Sequence, residues 1–287
     1  THLTFSGDVG RYKDVILKSP EEFPQADYIL IESTYGNSLH DPADTTSDLL
    51  LKWIVRTCLE RKGKLIIPAF SVGRTQEILF ALNSLEEERR LPPLDYFVDS
   101  PLSIAATEVV KKYPNLFNKT IQKVLETDKD PFAFEGLRYI KTVAESKLLN
   151  YRSEPCVIIS ASGMADAGRV KHHISNNIDN SRNAVLMVGY CEPRSLGGRL
   201  MAGAKEVHIF GVLHEVNAEI GSIRSMSAHG DYEDLSQFLA SQDPKQVKKL
   251  FIVHGEYEVQ QAFRDRLMRK GFTDVEIPEL HYEIGLG

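Results

Sequence analysis

Short apolar runs alternate with longer segments of helical periodicity through the first two thirds of the chain. The apolar runs are mostly unbroken, which is typical of strands that are covered on both faces, as in parallel sheets. Helices are predicted over 47–61, 74–90 and 103–113, and in the first of these the apolar residues recur at steps of three and four. The predicted strands are 28–32, 64–68, 94–98, 156–160 and 184–188.

This order of strands and helices predicts βαβ units and therefore an α/β fold with a parallel sheet. Residues 115–150 are charged and poorly periodic, which favours surface helices and loops. The last part of the chain, from residue 225, returns to a strand, helix, strand pattern, with a helix predicted over 231–240.

The composition is that of an ordinary globular protein, with 42% hydrophobic and 26% charged residues, and 287 residues suffice for two domains. The formal net charge of -6 provides no global basic field for nucleic acid, although a local basic cleft would still be compatible with it. No apolar run is long enough to span a membrane. Three widely spaced cysteines predict free, buried thiols and a reducing, cytoplasmic location.

Three segments far apart in the chain place an ionisable residue just after an apolar run. Asp8 follows Phe5-Ser-Gly, His229 lies in Ser227-Ala-His-Gly, and His254 lies in Val253-His-Gly-Glu. A carboxylate and two imidazoles suit a divalent metal of borderline softness, with zinc as the first candidate. Each residue alone also has a simpler interpretation, a turn aspartate for Asp8 and a surface or core histidine for the other two.

Glu32 ends a predicted strand, at the position where ligand-facing groups collect in α/β sheets, although it could equally cap the turn that follows. The remaining histidines, among them His172 and His173, are interpreted as structural or solvated. Three glycine-containing loops could approach a phosphate with backbone N–H groups, and Arg74 and Arg199 could add charge-assisted hydrogen bonds. None of these loops matches a dinucleotide fingerprint or a Walker loop, which disfavours a nucleotide cofactor.

Taken together, the segments resemble the β-CASP group of metallo-β-lactamase-fold nucleases, which includes the endonuclease subunit of the eukaryotic pre-mRNA cleavage and polyadenylation factor and its bacterial and archaeal relatives. The resemblance extends over essentially the whole chain in the family's order. The matching stretches, written with their residue numbers, are FSGD (5–8), IESTYG (31–36), IPAFSVGRTQE (67–77), DSPL (99–102), ISASGM (159–164), VGYC (188–191), SAH (227–229) and VHGE (253–256).

The resemblance implies a zinc-dependent, RNA-processing ribonuclease. It makes Asp8 a metal-bridging aspartate, His254 a zinc ligand, and His229 a general acid that is oriented by Glu32. An imidazole that is paired with a carboxylate keeps its proton available for a leaving group, which agrees with this division of roles. The implied wall for single-stranded RNA consists of Arg74, Ser162, Gly163 and Arg199.

The resemblance also implies a partial metallo-β-lactamase αββα sandwich, formed by residues 1–36 and 228–287, with a β-CASP parallel α/β domain inserted as residues 37–227. The family's His-x-His-x-Asp-His motif would precede Asp8 and is absent from this sequence. We therefore expect a fragment that binds zinc weakly or not at all and is inactive, whereas the full-length protein holds two zinc ions. A homodimer is a further expectation.

Three alternatives stay open from the sequence. The first is a non-catalytic β-CASP protein that binds RNA or a partner nuclease, and an intact upstream motif would argue against it. The second is a lactamase-fold hydrolase of small molecules such as thioesters, a group that lacks the β-CASP insertion. The third is a Rossmann-like oxidoreductase, which the missing glycine fingerprint disfavours.

Overall fold

The computed structural model describes residues 1–40 and 46–286. The strands of these residues are, in chain order, β1 Leu3–Phe5, β2 Tyr28–Glu32, β3 Lys64–Pro68, β4 Asp95–Val98, β5 Leu137–Tyr139, β6 Cys156–Ser160, β7 Ala184–Met187, β8 Glu206–Ile209, β9 Val212–Glu215, β10 Glu219–Ser222, β11 Lys249–Val253 and β12 Val275–Glu276. The α-helices are α1 Thr46–Ile54, α2 Arg74–Glu87, α3 Pro101–Val110, α4 Lys119–Val124, α5 Val143–Tyr151, α6 Arg169–Asn177, α7 Leu196–Met201, α8 Tyr232–Phe238 and α9 Tyr257–Arg269.

The chain divides into two compact units, of which the first combines Thr1–His40 with Ala228–Gly287. Its sheet has four parallel strands in the order β1-β2-β11-β12. The central strands are apolar because both of their faces are covered, and they share a buried core with α8 and α9. That core includes Ile29, Ile31, Leu235, Leu250, Ile252, Phe263 and Leu267. Phe263 and Leu267 lie four positions apart on α9, so both point to the same side of the helix.

The second unit is Asp41–Ser227, and its sheet has six parallel strands in the order β10-β7-β3-β6-β4-β5. All residues of β3, β6 and β7 are buried, which explains their unbroken apolar sequences. The antiparallel hairpin β8–β9 turns at Phe210 and Gly211, which both have positive φ angles, 52° and 80°.

The sequence-based expectation of an α/β fold with parallel sheets is confirmed. Each of the five predicted strands is present to within one residue, and α1 continues as a π-helix over Val55–Glu60, which together cover the predicted helix 47–61. The prediction for 115–150 is wrong in part, because β5 joins the edge of the six-stranded sheet and Phe132 is buried. That strand is short and carries a charged residue in its centre, Arg138, so it has no visible periodicity.

The cysteines are free thiols, as predicted, with Cys58 and Cys156 buried and Cys191 half-buried. Burial raises the pKa of the Cys58 thiol to about 12 and the pKa values of Cys156 and Cys191 to about 11. Within 1–40 and 46–286, no helix combines the length and the apolar character that crossing a membrane requires.

Candidate metal and catalytic site

Asp8, His229 and His254 come together in the first unit. Each offers one ligand atom, and these three atoms lie within 4.8 Å of one another. Asp8 follows β1 and His254 follows β11, so both sit at the carboxyl ends of parallel strands, where side chains of different loops converge. His229 lies three residues before the first residue of α8, whose N-cap is Asp231. The local folds of three separate segments therefore build one cluster.

The backbone around His254 is held in an unusual conformation. His254 itself has a φ angle of 52°, in the left-handed region that non-glycine residues seldom adopt. The next residue is Gly255, where an added Cβ would lie 2.5 Å from Oγ of Ser33 and 3.0 Å from its carbonyl oxygen. The loop after β11 therefore passes close to the loop after β2, which fixes the position of the His254 imidazole.

Glu32 is the buried partner of His229. Its side chain is only 1% exposed, and both carboxylate oxygens lie 3.0 Å from Nδ1 of His229. The carboxylate also accepts hydrogen bonds from the backbone N–H groups of Val9, at 2.7 Å, and Thr34, at 3.3 Å. This arrangement fixes the orientation of the His229 imidazole.

The charge of Glu32 follows from these contacts. Burial acts to raise the pKa of the Glu32 carboxyl group, but hydrogen bonds from His229, Thr34 and Val9 and the charge of the imidazole outweigh it. The net result is a pKa below the ordinary value, so that Glu32 is an anion at neutral pH. A buried anion at this position favours the protonated form of the imidazole that faces it.

Thr34 connects the two imidazoles. Its Oγ1 lies 3.0 Å from Nδ1 of His254 and 3.4 Å from Nδ1 of His229. The two imidazole rings are stacked, with centroids 5.5 Å apart and planes 25° from parallel. Nδ1 of His229 thus faces Glu32 and Thr34, and Nδ1 of His254 faces Thr34, so these two residues set how both rings are turned.

His40 supports the cluster through the backbone of His229. Its Nε2 donates a hydrogen bond to the carbonyl oxygen of His229 at 2.8 Å, and its ring packs edge-on against Tyr35. Burial, the largest effect, lowers the pKa of His40, and the nearby Arg11 charge acts in the same direction. Sequence reasoning identified neither Thr34 nor His40 as a site residue, although Thr34 lies only two positions after Glu32.

The donor set fits a divalent metal in part. One carboxylate and two imidazoles are ligands that zinc accepts, and a catalytic zinc site uses three protein ligands with an open position. If His229 instead acts as an acid, Asp8 and His254 remain as the ligands that this chain supplies. The geometry is compatible with either role for His229.

The four predicted phosphate contacts all lie in the second unit. Arg74 is only 4% exposed and pairs with Glu77, so it presents almost no surface to a ligand. Gly163 is buried, and a Cβ added there would meet the Phe70 ring at 2.6 Å. Ser162 is partly exposed, with its hydroxyl 3.4 Å from the Ala167 carbonyl oxygen.

Arg199 lies on α7, and its Nε is buried without a hydrogen-bond partner among the residues that the structure describes. Of the four predicted contacts, Ser162 and Arg199 are therefore the partly exposed ones, and Gly163 and Arg74 are buried. The structure does not bring Arg74 to the surface.

Two protein-family models match parts of this chain. Residues 75–200 match the Beta-Casp domain family, and residues 213–278 match the family described as the Zn-dependent metallo-hydrolase RNA specificity domain. The chain belongs to the β-CASP family of metallo-hydrolases. The predicted family resemblance is therefore confirmed, and a metal cofactor goes with the family.

Named β-CASP relatives come from bacteria and archaea. Ribonuclease TTHA0252 of Thermus thermophilus is 33% identical over 272 residues, which are 94% of this chain and 61% of that protein. The RNase J-like protein of Methanocaldococcus jannaschii is 32% identical over 256 residues, 88% of this chain and 58% of that protein. Transcription termination factor FttA of Methanosarcina mazei is 26% identical over 264 residues, 89% of this chain and 41% of that protein. The chain thus spans between about two fifths and three fifths of the length of these relatives.

Proposed function

We propose that this chain is part of a metal-dependent ribonuclease that hydrolyses phosphodiester bonds in single-stranded RNA. The observation that carries the proposal is the placement of the buried Glu32–His229 pair beside Asp8 and His254. An acid and a set of metal ligands within one cluster are what phosphodiester hydrolysis requires. Two of the relatives bear ribonuclease names, which supports RNA as the substrate.

His229 is the proposed general acid. Glu32 holds its Nδ1 and so fixes the orientation of the ring that delivers a proton to the departing oxygen. Because Glu32 is an anion, it also stabilises the imidazolium form that carries this proton. Proton transfer by such a positioned group typically contributes about 10²- to 10⁴-fold to a rate.

Asp8 and His254 are the proposed metal ligands, with zinc as the proposed ion. A bound ion of this kind polarises a phosphate oxygen and lowers the pKa of a bound water. Asp8 and His254 supply too few donors for two ions, so we propose that the full-length protein holds two zinc ions and that this chain binds zinc weakly and is inactive. Elemental analysis that finds two tightly held zinc ions per chain would contradict this proposal.

We propose that the two units are two domains. Residues 1–36 and 228–287 form half of a metallo-β-lactamase domain, and residues 37–227 form the β-CASP domain. Ser162 and Arg199 of the second are proposed to contact the RNA backbone, whereas Gly163, which is buried, is proposed to let the loop pack against Phe70. We assign Arg74 a supporting role through its ion pair with Glu77, because it is buried. A cytoplasmic location and a homodimer are also proposed.

A second candidate is a β-CASP protein that binds RNA or a partner without cutting. The observation that favours it is the small donor set, since Asp8, His229 and His254 are the metal-ligand group found among the described residues. Its distinguishing property is RNA binding that persists when no cleavage occurs.

The test is cleavage of a labelled single-stranded RNA by the protein extended upstream to the length of its relatives, with zinc. His229→Ala is compared with His208→Ala, which changes an exposed histidine of β8 in the other unit. We expect His229→Ala to reduce the cleavage rate by about 10²- to 10⁴-fold and to leave RNA affinity unchanged, whereas His208→Ala cuts normally. Full cleavage by His229→Ala would exclude the proposed acid, and RNA binding without any cleavage by the parent protein would favour the second candidate.

A further inference from the structure

A cavity of about 580 Å³ lies within the second unit and contains no residue of the metal and catalytic cluster. Its walls come from α5, α6, the loop that precedes α6 and the tip of the β8–β9 hairpin. The volume is in the range of pockets that hold a small organic ligand. The proposed ribonuclease chemistry uses none of the side chains that line it.

An exposed aromatic pair forms one wall. The ring of His172 stacks on the ring of Phe210, with centroids 4.5 Å apart and planes 27° from parallel. Phe210 is 54% exposed and sits in the two-residue turn of the hairpin with a φ angle of 52°. Glycine and asparagine are the usual residues at such turn positions, and a bulky apolar residue is disfavoured there by backbone sterics and by exposure to water. A largely exposed aromatic pair at this position is well suited to stack on another flat ring.

Cationic side chains surround this pair. Lys171 Nζ lies 5.1 Å from the centroid of the Phe210 ring, and Lys147 extends from α5 into the same lining. Neither lysine forms an ion pair with any residue of the described chain. The one acidic lining residue is Asp166, whose carboxylate accepts a hydrogen bond from the Leu196 backbone N–H at 2.7 Å. The cavity therefore carries positive charge on a protein whose net charge is -6.

A buried hydrogen-bond network lies between the two helices that line the cavity. Asp99 is fully buried and lies 2.6 Å from both Nε2 of His173 and Nη1 of Arg169. Asn150 Oδ1 lies 2.8 Å from Nδ1 of His173 and thereby ties α5 to α6. These contacts hold α5 and α6 together. The positions of Lys147 on α5 and of Lys171 and His172 on α6 are therefore restrained.

We propose that this cavity binds a nucleotide of single-stranded RNA outside the catalytic cluster, with a base stacked on the Phe210–His172 pair and the adjoining phosphates beside Lys147 and Lys171. Aromatic faces combined with unpaired cations are the chemistry by which proteins bind single strands without sequence preference. The proposal rests on the proposed function, because it takes RNA as the ligand. Its role is to retain the substrate strand while the catalytic cluster acts.

The test measures the dissociation constant of this chain for a fluorescently labelled single-stranded oligoribonucleotide by anisotropy at several salt concentrations. Phe210→Ala removes the stacking face, and Leu213→Ala, an exposed apolar residue of the same hairpin outside the cavity lining, is the matched control. Lys147→Ala/Lys171→Ala tests the phosphate contacts. Both cavity changes affect surface residues, and circular dichroism confirms that each variant is folded.

We expect Phe210→Ala to weaken binding by about tenfold, as the removal of one base–aromatic stack predicts, and Leu213→Ala to change it by less than twofold. The double lysine variant should weaken binding and reduce the slope of log K against log salt by about 0.7 for each phosphate that the lysines no longer neutralise. Wild-type affinity and slope in the Phe210 and lysine variants would overturn the inference and leave the proposed ribonuclease intact.

Two further outcomes separate this inference from the proposed function. If the variants bind RNA more weakly but the upstream-extended protein never cleaves it, RNA binding by the cavity is supported and the proposed catalysis is contradicted. If the parent chain binds no RNA even at low salt, the inference is overturned, while cleavage by the extended protein still decides the proposed function on its own. A single-stranded DNA competitor of the same sequence shows whether the cavity distinguishes the sugar.

Discussion

Thr34 places a single hydroxyl between the two imidazoles of the metal and catalytic site. Because it lies 3.0 Å from Nδ1 of His254, it restrains the ring orientation, and in the tautomer with a proton on Nδ1 it accepts that N–H and leaves Nε2 as the ligand atom. Its backbone N–H also donates to Glu32. Thr34 therefore restrains both the carboxylate that pairs with His229 and the His254 ring that stacks on it. In proteins that bind a metal through histidine, such outer contacts tune the affinity of the ligands they touch.

We expect Thr34→Val to weaken zinc binding by the upstream-extended protein by about 10- to 100-fold, because valine keeps the shape of the side chain but cannot hydrogen-bond to His254. Competition with a colorimetric zinc chelator measures this change. Thr34→Ser retains the hydroxyl and should bind zinc nearly as the parent does. Equal affinities for the valine and serine variants would show that the hydroxyl has no such role.

The residues of the site differed in how well the sequence revealed them. Asp8, Glu32, His229 and His254 each follow an apolar run, and all but Glu32 adjoin a glycine, so position alone marked them as candidates. Thr34 and His40 lacked any comparable mark, because a threonine hydroxyl or a buried histidine becomes significant only through the atoms that surround it. Arg74 shows the opposite error, since a Gly-Arg pair at a helix start indicates a phosphate contact whether the arginine is exposed or buried.

At the scale of secondary-structure elements, Asp99 joins three parts of the second unit. It follows β4 directly and accepts hydrogen bonds from Ser146 of α5 and from Arg169 and His173 of α6. Burial of Asp99 acts to raise its pKa, but the hydrogen bonds from His173, Ser146 and Arg169 outweigh this effect and the pKa lies below the ordinary value. The carboxylate is therefore an anion that holds two helices against the end of a strand.

We expect Asp99→Asn to lower the free energy of unfolding by about 3–5 kcal/mol at pH 7, because it removes one partner of a buried ion pair. Urea unfolding followed by circular dichroism measures this change. Asp265→Asn, which alters a 60% exposed carboxylate on α9, should cost less than about 1 kcal/mol. Similar effects in the two variants would mean that the buried network contributes little to stability.

The same carboxylate predicts how stability depends on pH. Since the native pKa of Asp99 is below that of the unfolded chain, the unfolded state takes up the proton first as the pH falls. Its contribution is complete above the unfolded pKa, about 4, and is lost as the pH falls through the lower native value. The Asp99→Asn variant should therefore lose less stability than the parent between pH 5 and pH 2.

Central strands were predictable and edge elements were not. The strands β3, β6 and β7 are almost entirely apolar because both faces of each strand are buried. Each one is therefore recognisable as a short apolar run in the sequence. Among the peripheral strands, β5 has only three residues and β9 is mostly exposed. Their sequences therefore show neither an apolar run nor an alternation of apolar and polar residues. Helix α9 was also not predicted, because its two buried residues, Phe263 and Leu267, are too few to define a stripe.

At the scale of the whole molecule, the two units differ in how the chain builds them. Residues 41–227 are continuous and contain a complete six-stranded sheet, with a core of their own that includes Ile66, Ile174, Val185 and Leu200. The first unit instead needs two segments, 1–40 and 228–287, to complete its four-stranded sheet. Only the second unit therefore has the properties of an autonomous folding unit.

We expect residues 41–227, produced alone, to unfold in a single cooperative thermal transition and to show near-ultraviolet circular dichroism of packed aromatic residues. The same segment with Ile66→Asp, which places a charge in the centre of the sheet, should lack both properties. A broad, non-cooperative transition in the unmodified segment would show that it depends on the rest of the chain.

The burial of the three thiols has a practical consequence for any study of metal content. With pKa values of about 11 or 12, Cys58, Cys156 and Cys191 stay protonated at neutral pH, and a protonated thiol is a poor ligand and a poor nucleophile. No cysteine belongs to the metal-ligand group found among the described residues, so we expect the stoichiometry of added zinc to report on carboxylate and imidazole donors. Alkylating reagents will likewise react at an appreciable rate with Cys58 and Cys156 only in molecules that have opened, so labelling of these two buried thiols, as distinct from the half-buried Cys191, reports the unfolded fraction.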